Sequence, residues 1–413
     1  MGKLAVALIV VLLGLGGCAN APEQAHSGGD AVAVDGGSCL PERGWVVPAS
    51  GEKLSSHQVF SRYGERDVVL LGEIHDSLAH HNWQTSVVAS LASRGRNVVI
   101  GLEMLPRSAQ PALDEWVAGG LSESDFLAKA GWRDYWRFDH ELYMPILRLA
   151  RLYRIPVYAL NVERGLMQKI RERGWEGLTA EDREGLQDPA SAPEDYRRML
   201  AESFVMHDRS GGHGDAVPEL TDERFAALRQ DTKFQRFVQG QLVWDAAMAQ
   251  RIAALRHISP DAQIIGIMGS GHMMDGHGVP YQLRTLGVDS VAVLVPWDDD
   301  LPCEMMTAQV ADVVFAIHSA PPEAPSMAKP RLGIHIEDDE SGVRVTKIEP
   351  GSIAESAGFN VDDVIVSIAA RGRPKVADIV GTVQSMAPGT WLPVVVLRAD
   401  HEVELLAKFP PTP

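Results

Sequence analysis

A short apolar run of the sequence ends at a carboxylate that is followed by three histidines. In the segment VVLLGEIHDSLAHH, residues 68–81, Glu73 closes the run and His75, His80 and His81 come after it. A carboxylate directly behind an apolar run is costly to bury unless it is paired, and a paired imidazole can transfer protons or bind a metal. We therefore predict that Glu73 and His75 belong to a functional site. His80 and His81 stand at the start of a predicted helix and are expected to form its solvated face.

Other apolar runs of the chain also lead into ionisable residues. Glu103 ends the run NVVIGLEM, and a later run leads into the loop GSGHMMDGHG, which carries His272 and His277. Ligands of open parallel α/β sheets bind beyond the carboxyl ends of the strands, so we expect these residues to converge at one edge of a sheet. Each residue alone could instead cap a helix or satisfy a core group. The predicted catalytic set is Glu73, His75, Glu103 and His272.

Apolar runs alternate with longer amphipathic stretches through the middle of the chain. The runs are uniformly apolar and rich in β-branched residues, which is typical of parallel strands covered on both faces. This pattern predicts a three-layer α/β fold with a mostly parallel sheet and helices on both faces. The runs are residues 68–73, 97–104, 156–162, 262–269, 290–296 and 311–317.

Helices are predicted at 79–93, at 141–153 and as one long helix over 221–256. Thr221 is a good N-cap for the long helix, because its hydroxyl can accept a backbone N–H of the first turn. The polar stretch 171–220 is too long for a simple connection inside a compact core, so it predicts a helical insertion or a lid.

Length and composition limit the classes of protein to consider. A chain of 413 residues is too long for one ordinary core, so two domains are expected. Hydrophobic residues make up 45% and charged residues 23%, which is ordinary for a soluble globular protein. The formal net charge of −17 argues against nucleic acid or an anionic membrane surface as a partner.

The N-terminus resembles a bacterial lipoprotein signal peptide over residues 1–18. A basic start precedes the apolar stretch 4–15, which is too short to span a bilayer as a helix of ~20 residues but suits export. The sequence LGGC at its end predicts that Cys18 is lipidated, which would anchor the protein in the cell envelope. Ala19 and Asn20 follow in place of the aspartate typical of inner-membrane lipoproteins, so we expect the outer membrane, facing the periplasm. An ordinary signal peptide that happens to contain Cys18 is the alternative. Residues 19–44 are predicted to be a tether.

Export also decides how the other cysteines are interpreted. Cys39 and Cys303 remain as an even pair in an oxidising compartment. We predict a disulfide that ties the start of the main domain to its end, with two buried thiols as the alternative.

A second domain is predicted after the proline-rich linker 319–330. Residues 331–413 resemble a PDZ domain, most clearly in EPGSIAESAGFNVDDVIVSI. The resemblance implies that a peptide adds as a strand beside a helix near 376–386. Its C-terminal carboxylate would then be bound by the backbone N–H groups of Leu332, Gly333 and Ile334. A groove filled by its own chain is the alternative.

The main domain, about 45–318, resembles the ChaN-like family of haem-binding lipoproteins. The motifs LGEIHD, GLEM, QLVWDAAMAQRIA and GSGHMMDGHGVPYQL occur in the order of that family. Its superfamily also contains erythromycin-esterase-like hydrolases and Tiki-type metal-dependent proteases. The resemblance implies haem or iron uptake at a bacterial cell surface, with haem held noncovalently in a pocket of a homodimer by tyrosine and histidine. The candidate pocket residues are Tyr196, His207, Asp245 and Gln241, with Tyr135, Tyr143 and His213 nearby in the region of the helical insertion.

Three hypotheses for function follow. The first is a lipid-anchored envelope protein that binds haem. The second is a metal-dependent hydrolase in which Glu73, His75 and His272 hold a divalent ion that activates water, although the H-E-x-x-H signature is absent. The third is an envelope scaffold whose PDZ domain recruits the C-termini of other proteins.

Overall fold

The computed structural model describes residues 39–41, 44–208, 220–318, 330–339 and 341–411. The predicted signal peptide, Cys18 and most of the predicted tether lie outside the described residues. The chain divides into two compact units, Met1–Ser319 and Ala320–Pro413.

The first unit is built on an eight-stranded sheet. Its strands are β1 Trp45–Val47, β2 Glu52–Leu54, β3 Val68–Leu71, β4 Val98–Pro106, β5 Val157–Asn161, β6 Gln263–Ile267, β7 Val291–Asp298 and β8 Val313–Ile317. Their order across the sheet is β2-β1-β8-β7-β3-β6-β4-β5. The strands from β8 to β5 pair in parallel, whereas β1 pairs antiparallel with both β8 and β2. The predicted mostly parallel α/β sheet is confirmed.

Helices cover both faces of this sheet. Val69 and Leu71 belong to a hydrophobic cluster with α2, α3 and α6, whereas Val68 and Leu70 belong to a second cluster with α10 and α11. Successive residues of β3 therefore point into opposite layers, which explains why the run is apolar at every position. The helices are α1 Ser56–Arg62, α2 Leu78–Ala92, α3 Gln110–Val117, α4 Glu123–Lys129, α5 Trp132–Tyr135, α6 Met144–Tyr153, α7 Arg164–Arg173, α8 Glu194–Asp208, α9 Asp222–Leu228, α10 Thr232–Ile258 and α11 Gly278–Thr285.

The prediction of one continuous helix over 221–256 was wrong. Thr221 does cap a helix, accepting the N–H of Arg224, but that helix is the short α9. Asp231 then caps α10, because its side chain accepts the N–H groups of Lys233 and Phe234. Those N–H groups would need backbone carbonyl partners in an unbroken helix, so the aspartate favours a restart at this point.

The prediction that Glu103 ends its strand was also wrong, because β4 continues to Pro106. The parallel pairing of β4 with β6 does stop at Leu102, opposite Ile267. The register against β5 shifts between Leu102 and Pro106. Glu103 therefore lies just beyond the part of β4 that pairs with β6, at the carboxyl edge of the sheet.

A disulfide and the packing of helix α8 on helix α10 stabilise the periphery of this unit. Cys39 and Cys303 form a disulfide with a Cα–Cα distance of 5.8 Å, joining the segment before β1 to the turn after β7. Helix α8, the helical part of the predicted insertion, packs through Tyr196 and Leu200 against Phe234 and the following turns of α10.

The second unit is a small antiparallel β-rich domain with its own hydrophobic core. Its sheet has the strand order β14-β13-β11-β10-β9, with β12 paired to β11. The predicted helix near 376–386 corresponds to α13. The elements are β9 Ile334–Asp339, β10 Gly342–Ile348, α12 Ile353–Ala357, β11 Val364–Ile368, β12 Arg371–Gly372, α13 Val376–Gln384, β13 Trp391–Arg398 and β14 His401–Lys408.

No helix among the described residues of either unit is long and apolar enough to cross a membrane.

Candidate functional site

The register of the parallel strands brings several loops to one edge of the sheet. Leu71 at the end of β3 pairs with Ile267 of β6 and with Leu294 of β7, so these strands reach the same level. The loops that follow are tied directly to one another. The N–H of Ser270 donates to the carbonyl of Glu73 at 3.0 Å, and the N–H of Gly269 donates to Glu103 Oε2 at 2.7 Å.

The first group at this edge is a carboxylate, an imidazole and a phenol, which we call the Glu73 triad (Glu73, His75 and Tyr143). Glu73 is buried, and its Oε1 lies 2.7 Å from His75 Nδ1 and accepts the Tyr143 hydroxyl at 2.7 Å. Its Oε2 accepts the amide of Gln84 at 2.9 Å, and His81 Nδ1 lies 3.5 Å away. Both carboxylate oxygens of Glu73 therefore have hydrogen-bond partners inside the protein.

The second group has the same three kinds of side chain, and we call it the Asp245 triad (Asp245, His272 and Tyr196). Asp245 Oδ1 lies 2.6 Å from His272 Nδ1, and Oδ2 accepts the Tyr196 hydroxyl at 2.6 Å. The ring of His277 stacks on Tyr196 with centroids 5.1 Å apart. This triad joins α8, α10 and the loop after β6.

Glu103 lies between the two triads. It is fully buried, and its Oε1 has no hydrogen-bond partner among the described residues. The nearest cation is His272, whose Nε2 lies 3.5 Å from that oxygen. A buried carboxylate oxygen without a hydrogen bond is unusual and lowers the stability of the fold. Such unsatisfied groups are typical of sites arranged for a ligand rather than for stability.

Of the imidazoles in the two triads, His75 is the more accessible to solvent. Its side chain is 18% exposed, against 3% for His272. Its ring packs against Trp136 and Phe138, with centroids 4.9 and 5.0 Å away. A Cβ at Gly269 would lie 2.9 Å from His75 Cε1 and 3.1 Å from Nε2, so glycine leaves room for the ring to approach this loop.

Electrostatics favour the charged forms of the buried pairs. Burial alone would raise the pKa of Glu73, but the hydrogen bond from His75, the nearby His81 and the Tyr143 hydroxyl together hold it below its ordinary value. Burial alone would lower the pKa of His272, but Glu103 and Asp245 raise it to about 9. The pKa of His75 is raised too, because the Glu73 hydrogen bond and the charge of Glu103 outweigh its burial.

Both phenols of the triads stay protonated. Burial is the largest cause of the raised pKa of Tyr143, and the adjacent Glu73 carboxylate adds to it. Burial followed by the charge of Asp245 raises the pKa of Tyr196 well above its ordinary value. Each tyrosine therefore acts as a hydrogen-bond donor to its carboxylate.

Comparison with family models assigns both units. Residues 59–283, more than half of the 413-residue chain, match the model described as haem-binding uptake, Tiki superfamily, ChaN. The chain belongs to the ChaN family. Residues 330–408 match the PDZ domain model, which confirms the assignment of the second unit.

Solved structures agree with the first assignment. ChaN of Campylobacter jejuni, a protein with cofacial haem binding, superposes with a TM-score of 0.50 at 16% identity, covering 66% of this chain and 95% of that one. At this identity the likeness establishes the fold. No curated protein sequence matches the chain.

A protease and a PDZ domain among the solved structures match about a fifth of the chain. The serine endoprotease of Yersinia pestis is 26% identical over 20% of this chain and 29% of its own, with a TM-score of 0.18. The HtrA3 PDZ domain is 20% identical over 19% of this chain and 84% of its own, also with a TM-score of 0.18. The PDZ assignment therefore depends on the family model.

The ChaN-family unit brings Glu73, His75, Glu103 and His272 to one edge of the sheet. The expectation that His80 and His81 form a solvated face was wrong, because both are buried. His80 Nδ1 accepts the N–H of Ile74 at 2.9 Å, and its Nε2 lies 3.1 Å from the carboxylate of Asp298. The first turn of α2 lies beneath the loop after β3, so its imidazoles fix that loop instead of facing water.

The predicted pocket residues have different outcomes. Tyr196 and Asp245 contact each other as described above. Gln241 lies one turn earlier on α10 and is half-buried, and no hydrogen bond connects it to either triad within the described part of the chain. His207 lies in α8, but its side chain falls outside the described residues, as does all of His213.

Sequence reasoning missed two partners of Glu73. It assigned Tyr143 to the insertion region, whereas Tyr143 precedes α6 and reaches Glu73 from the helical layer that also contains α2. Gln84 was not considered, although it lies one helical turn after His80 and His81 on α2. The aromatic density of WRDYWRFDHELY, residues 132–143, was a usable signal for the wall beside His75.

The metal-dependent alternative gains no support from the geometry. Among the residues that the structure describes, no group of three His, Cys, Asp or Glu side chains is arranged to hold a metal ion. Of the predicted metal ligands, Glu73 and His75 belong to the Glu73 triad, whereas His272 belongs to the Asp245 triad.

Backbone hydrogen bonds hold the loop that precedes β9. The carbonyls of Leu332 and Gly333 accept the N–H groups of Ala354 and Glu349, both at 2.9 Å, which fixes the loop before β9. Gly333 has a φ of 77°, and a Cβ there would lie 2.4 Å from that of Ser352. Only glycine is compatible with this turn.

Proposed function

We propose that the ChaN-family unit binds haem at the carboxyl edge of its sheet, in the service of haem or iron handling. Support comes from the family and from one feature of the edge. His75 is partly exposed, its Nδ1 is held by a buried carboxylate, and its Nε2 makes no hydrogen bond among the described residues.

The residues around His75 suit such a group. His75 is the residue that would hold haem, which when bound would supply an iron atom able to take an imidazole ligand. Binding iron would require loss of the proton from His75 Nε2, and Glu73 would hold the remaining proton on Nδ1, which fixes the ring orientation and makes the Nε2 lone pair more basic. Trp136 and Phe138 provide apolar surface beside the imidazole, and Gly269 leaves room for the ring where a Cβ would clash.

Titration with haemin followed by absorbance tests this proposal. The wild-type protein is expected to give a saturable Soret band, and His75→Ala is expected to weaken binding at least about tenfold and to shift the band. His57→Ala is the matched control, because His57 is exposed on α1. An unchanged band and affinity in His75→Ala would overturn the assignment of His75, and no saturable band in the wild type would overturn haem binding itself.

We propose further that the protein is a lipoprotein of the cell envelope, at the outer membrane facing the periplasm. The lipid anchor rests on the sequence LGGC that ends at Cys18, and the outer-membrane location rests on Ala19 and Asn20, which follow that cysteine in place of an aspartate. Acyl chains at Cys18 would hold the protein at the membrane. The variant Cys18→Ser is expected to move it from the membrane fraction to the soluble fraction. Wild-type protein that is already soluble after cell fractionation would contradict the anchor.

A haem-linked homodimer is the assembly we propose, because haem binding to ChaN of Campylobacter jejuni is cofacial. Light scattering with and without haemin is expected to give twice the monomer mass when haem is bound. A monomer mass in both conditions would contradict it.

The second unit supports a second function, the capture of peptide C-termini. The observation in favour is β9, which among the described strands pairs with β10 alone and leaves its other edge free beside the Leu332–Ile334 loop. An extended peptide can add to such an edge. A peptide with a free C-terminus is expected to bind the full chain, and its amidated form is expected to lose most of that affinity. Equal binding of the two forms would contradict capture of the carboxylate.

A further inference from the structure

The free edge of the PDZ-family unit carries a pattern of side chains that specifies its ligand. Along β9, Ile334 and Ile336 are half-buried and pack against the core, whereas His335 and Glu337 are exposed. Asp338 lies on the same side as the isoleucines, and its Oδ1 accepts the N–H of Val376 at the start of α13 at 3.4 Å. The strand therefore begins apolar and ends acidic on the side that faces α13.

Helix α13 completes an apolar groove beside the first half of this strand. Val376 packs partly against the core, and Val380, one turn later, is 41% exposed. Residues four apart lie on the same face of a helix. An apolar peptide side chain that lies opposite Ile336 would cover the exposed valine.

The second half of the strand has an excess of negative charge. Its last three residues are Glu337, Asp338 and Asp339, and of these Asp339 is already paired with Arg344 at 3.0 Å. Glu337 lies opposite that arginine in the register of β9 and β10 and is exposed. Glu337 and Asp338 therefore present carboxylates on the two faces of the strand.

An added peptide would meet these features in a fixed order. Its carboxylate at the Leu332–Ile334 loop requires it to run antiparallel to β9, and directly opposed residues of antiparallel strands share a face. The last residue would then lie opposite Ile334 and the third-last opposite Ile336. The fourth-last would lie opposite Glu337 and the fifth-last opposite Asp338.

We propose that this groove selects peptide C-termini with apolar residues at the last and third-last positions and a lysine or arginine at the fourth- or fifth-last position. The preference rests on the peptide capture proposed above and adds the class of partner to it. Opposite charges across a strand pair attract and like charges repel. Basic C-terminal tails are thus the partners of this unit.

Fluorescence anisotropy of labelled peptides on the full chain tests the preference. The probes share valine at the last and third-last positions and differ only at the fifth-last, which is lysine, alanine or glutamate. We expect the lysine peptide to bind about tenfold tighter than the glutamate peptide at low ionic strength. The ratio is expected to shrink as salt is added, because exposed charges are screened.

Matched variants locate the effect. Asp338→Asn keeps an acceptor for the N–H of Val376 and removes the charge. It is therefore expected to reduce the affinity ratio of the lysine and glutamate peptides to about threefold or less. Glu337→Gln is expected to do the same for peptides varied at the fourth-last position. Glu402→Gln, on the far edge strand β14, is expected to leave both ratios unchanged. Equal binding of the lysine and glutamate peptides would overturn the charge preference alone. Failure of all three peptides to bind would overturn peptide capture as well.

Discussion

The two triads of the ChaN-family unit share one design and differ in one respect. In each, a buried carboxylate accepts a tyrosine hydroxyl and contacts Nδ1 of a histidine. The Nε2 of His272 faces the buried Glu103, whereas the Nε2 edge of His75 faces Gly269 and is reachable from solvent. The difference is where the second nitrogen of each imidazole points.

That difference assigns the triads separate tasks. The Asp245 triad ties α8 and α10 to the loop after β6, and each of its polar atoms is inside the protein. It therefore supports the fold around the edge. The Glu73 triad holds an imidazole in a fixed orientation at the surface, which is what a ligand-binding site requires.

The largest expected effect comes from removing the carboxylate of the buried triad. Asp245→Ala leaves the His272 imidazolium and the Tyr196 hydroxyl without their partner, so we expect a loss of about 3–5 kcal/mol in the free energy of unfolding. Asp245→Asn keeps an acceptor and is expected to cost less. Urea unfolding measures both variants, and a loss below about 1 kcal/mol for Asp245→Ala would contradict a supporting role.

The pH dependence of stability sharpens the same comparison. The pKa of His272 is raised to about 9 in the folded protein, so its stabilising contribution is complete below the ordinary histidine pKa of about 6.5 and is lost as the pH rises through 9. We expect the free energy of unfolding to fall by on the order of 3 kcal/mol over this window. His272→Gln should flatten that part of the profile. An equally steep fall in the free energy of unfolding of the variant would show that groups other than His272 cause this pH dependence.

Removing one hydroxyl from each triad separates stability from binding. Tyr196→Phe and Tyr143→Phe each delete a hydrogen bond to a buried carboxylate and are expected to cost about 1.5–3 kcal/mol in the free energy of unfolding. Only Tyr143→Phe should also weaken haem binding, by about tenfold, because it alters the support of His75. Urea unfolding and haemin titration are run on both variants. Equal losses of haem affinity would erase the distinction between the triads.

The smallest expected effect on stability comes from adding a methyl group at Gly269, beside the His75 ring. Gly269 has a φ of −56°, which any residue adopts, so Gly269→Ala adds no backbone strain. Its new Cβ would lie 2.9 Å from His75 Cε1, and we expect a loss of about 1 kcal/mol in the free energy of unfolding, with a clear loss of haem affinity. Haem binding at the wild-type affinity would show that ligands do not approach His75 from this side.

The sequence predicts where this site lies better than it predicts which side chains are hydrogen-bonded to one another. Glu73 and Glu103 follow buried apolar runs, and parallel strand register then forces their convergence, so their placement could be predicted from pattern alone. Tyr143 and Tyr196 could not be assigned in that way. Each reaches its carboxylate from a helical segment outside the sheet, and the distance between such segments depends on packing that no periodicity encodes.

Helix boundaries and burial show a similar limit. Asp231 looks like any polar residue of a long amphipathic stretch, although its side chain restarts the helix. His80 and His81 look solvated because they open a helix, whereas the loop after β3 folds over them. In both cases a local hydrogen bond, invisible to hydrophobic patterning, decides the structure.

The most direct test of the account is the haem spectrum of His75→Gly with and without added imidazole. Loss of the side chain is expected to abolish the wild-type Soret position, and free imidazole that enters the space left by the side chain is expected to restore it. A wild-type spectrum in His75→Gly before imidazole is added would contradict the central claim that His75 is the imidazole this protein presents to its ligand.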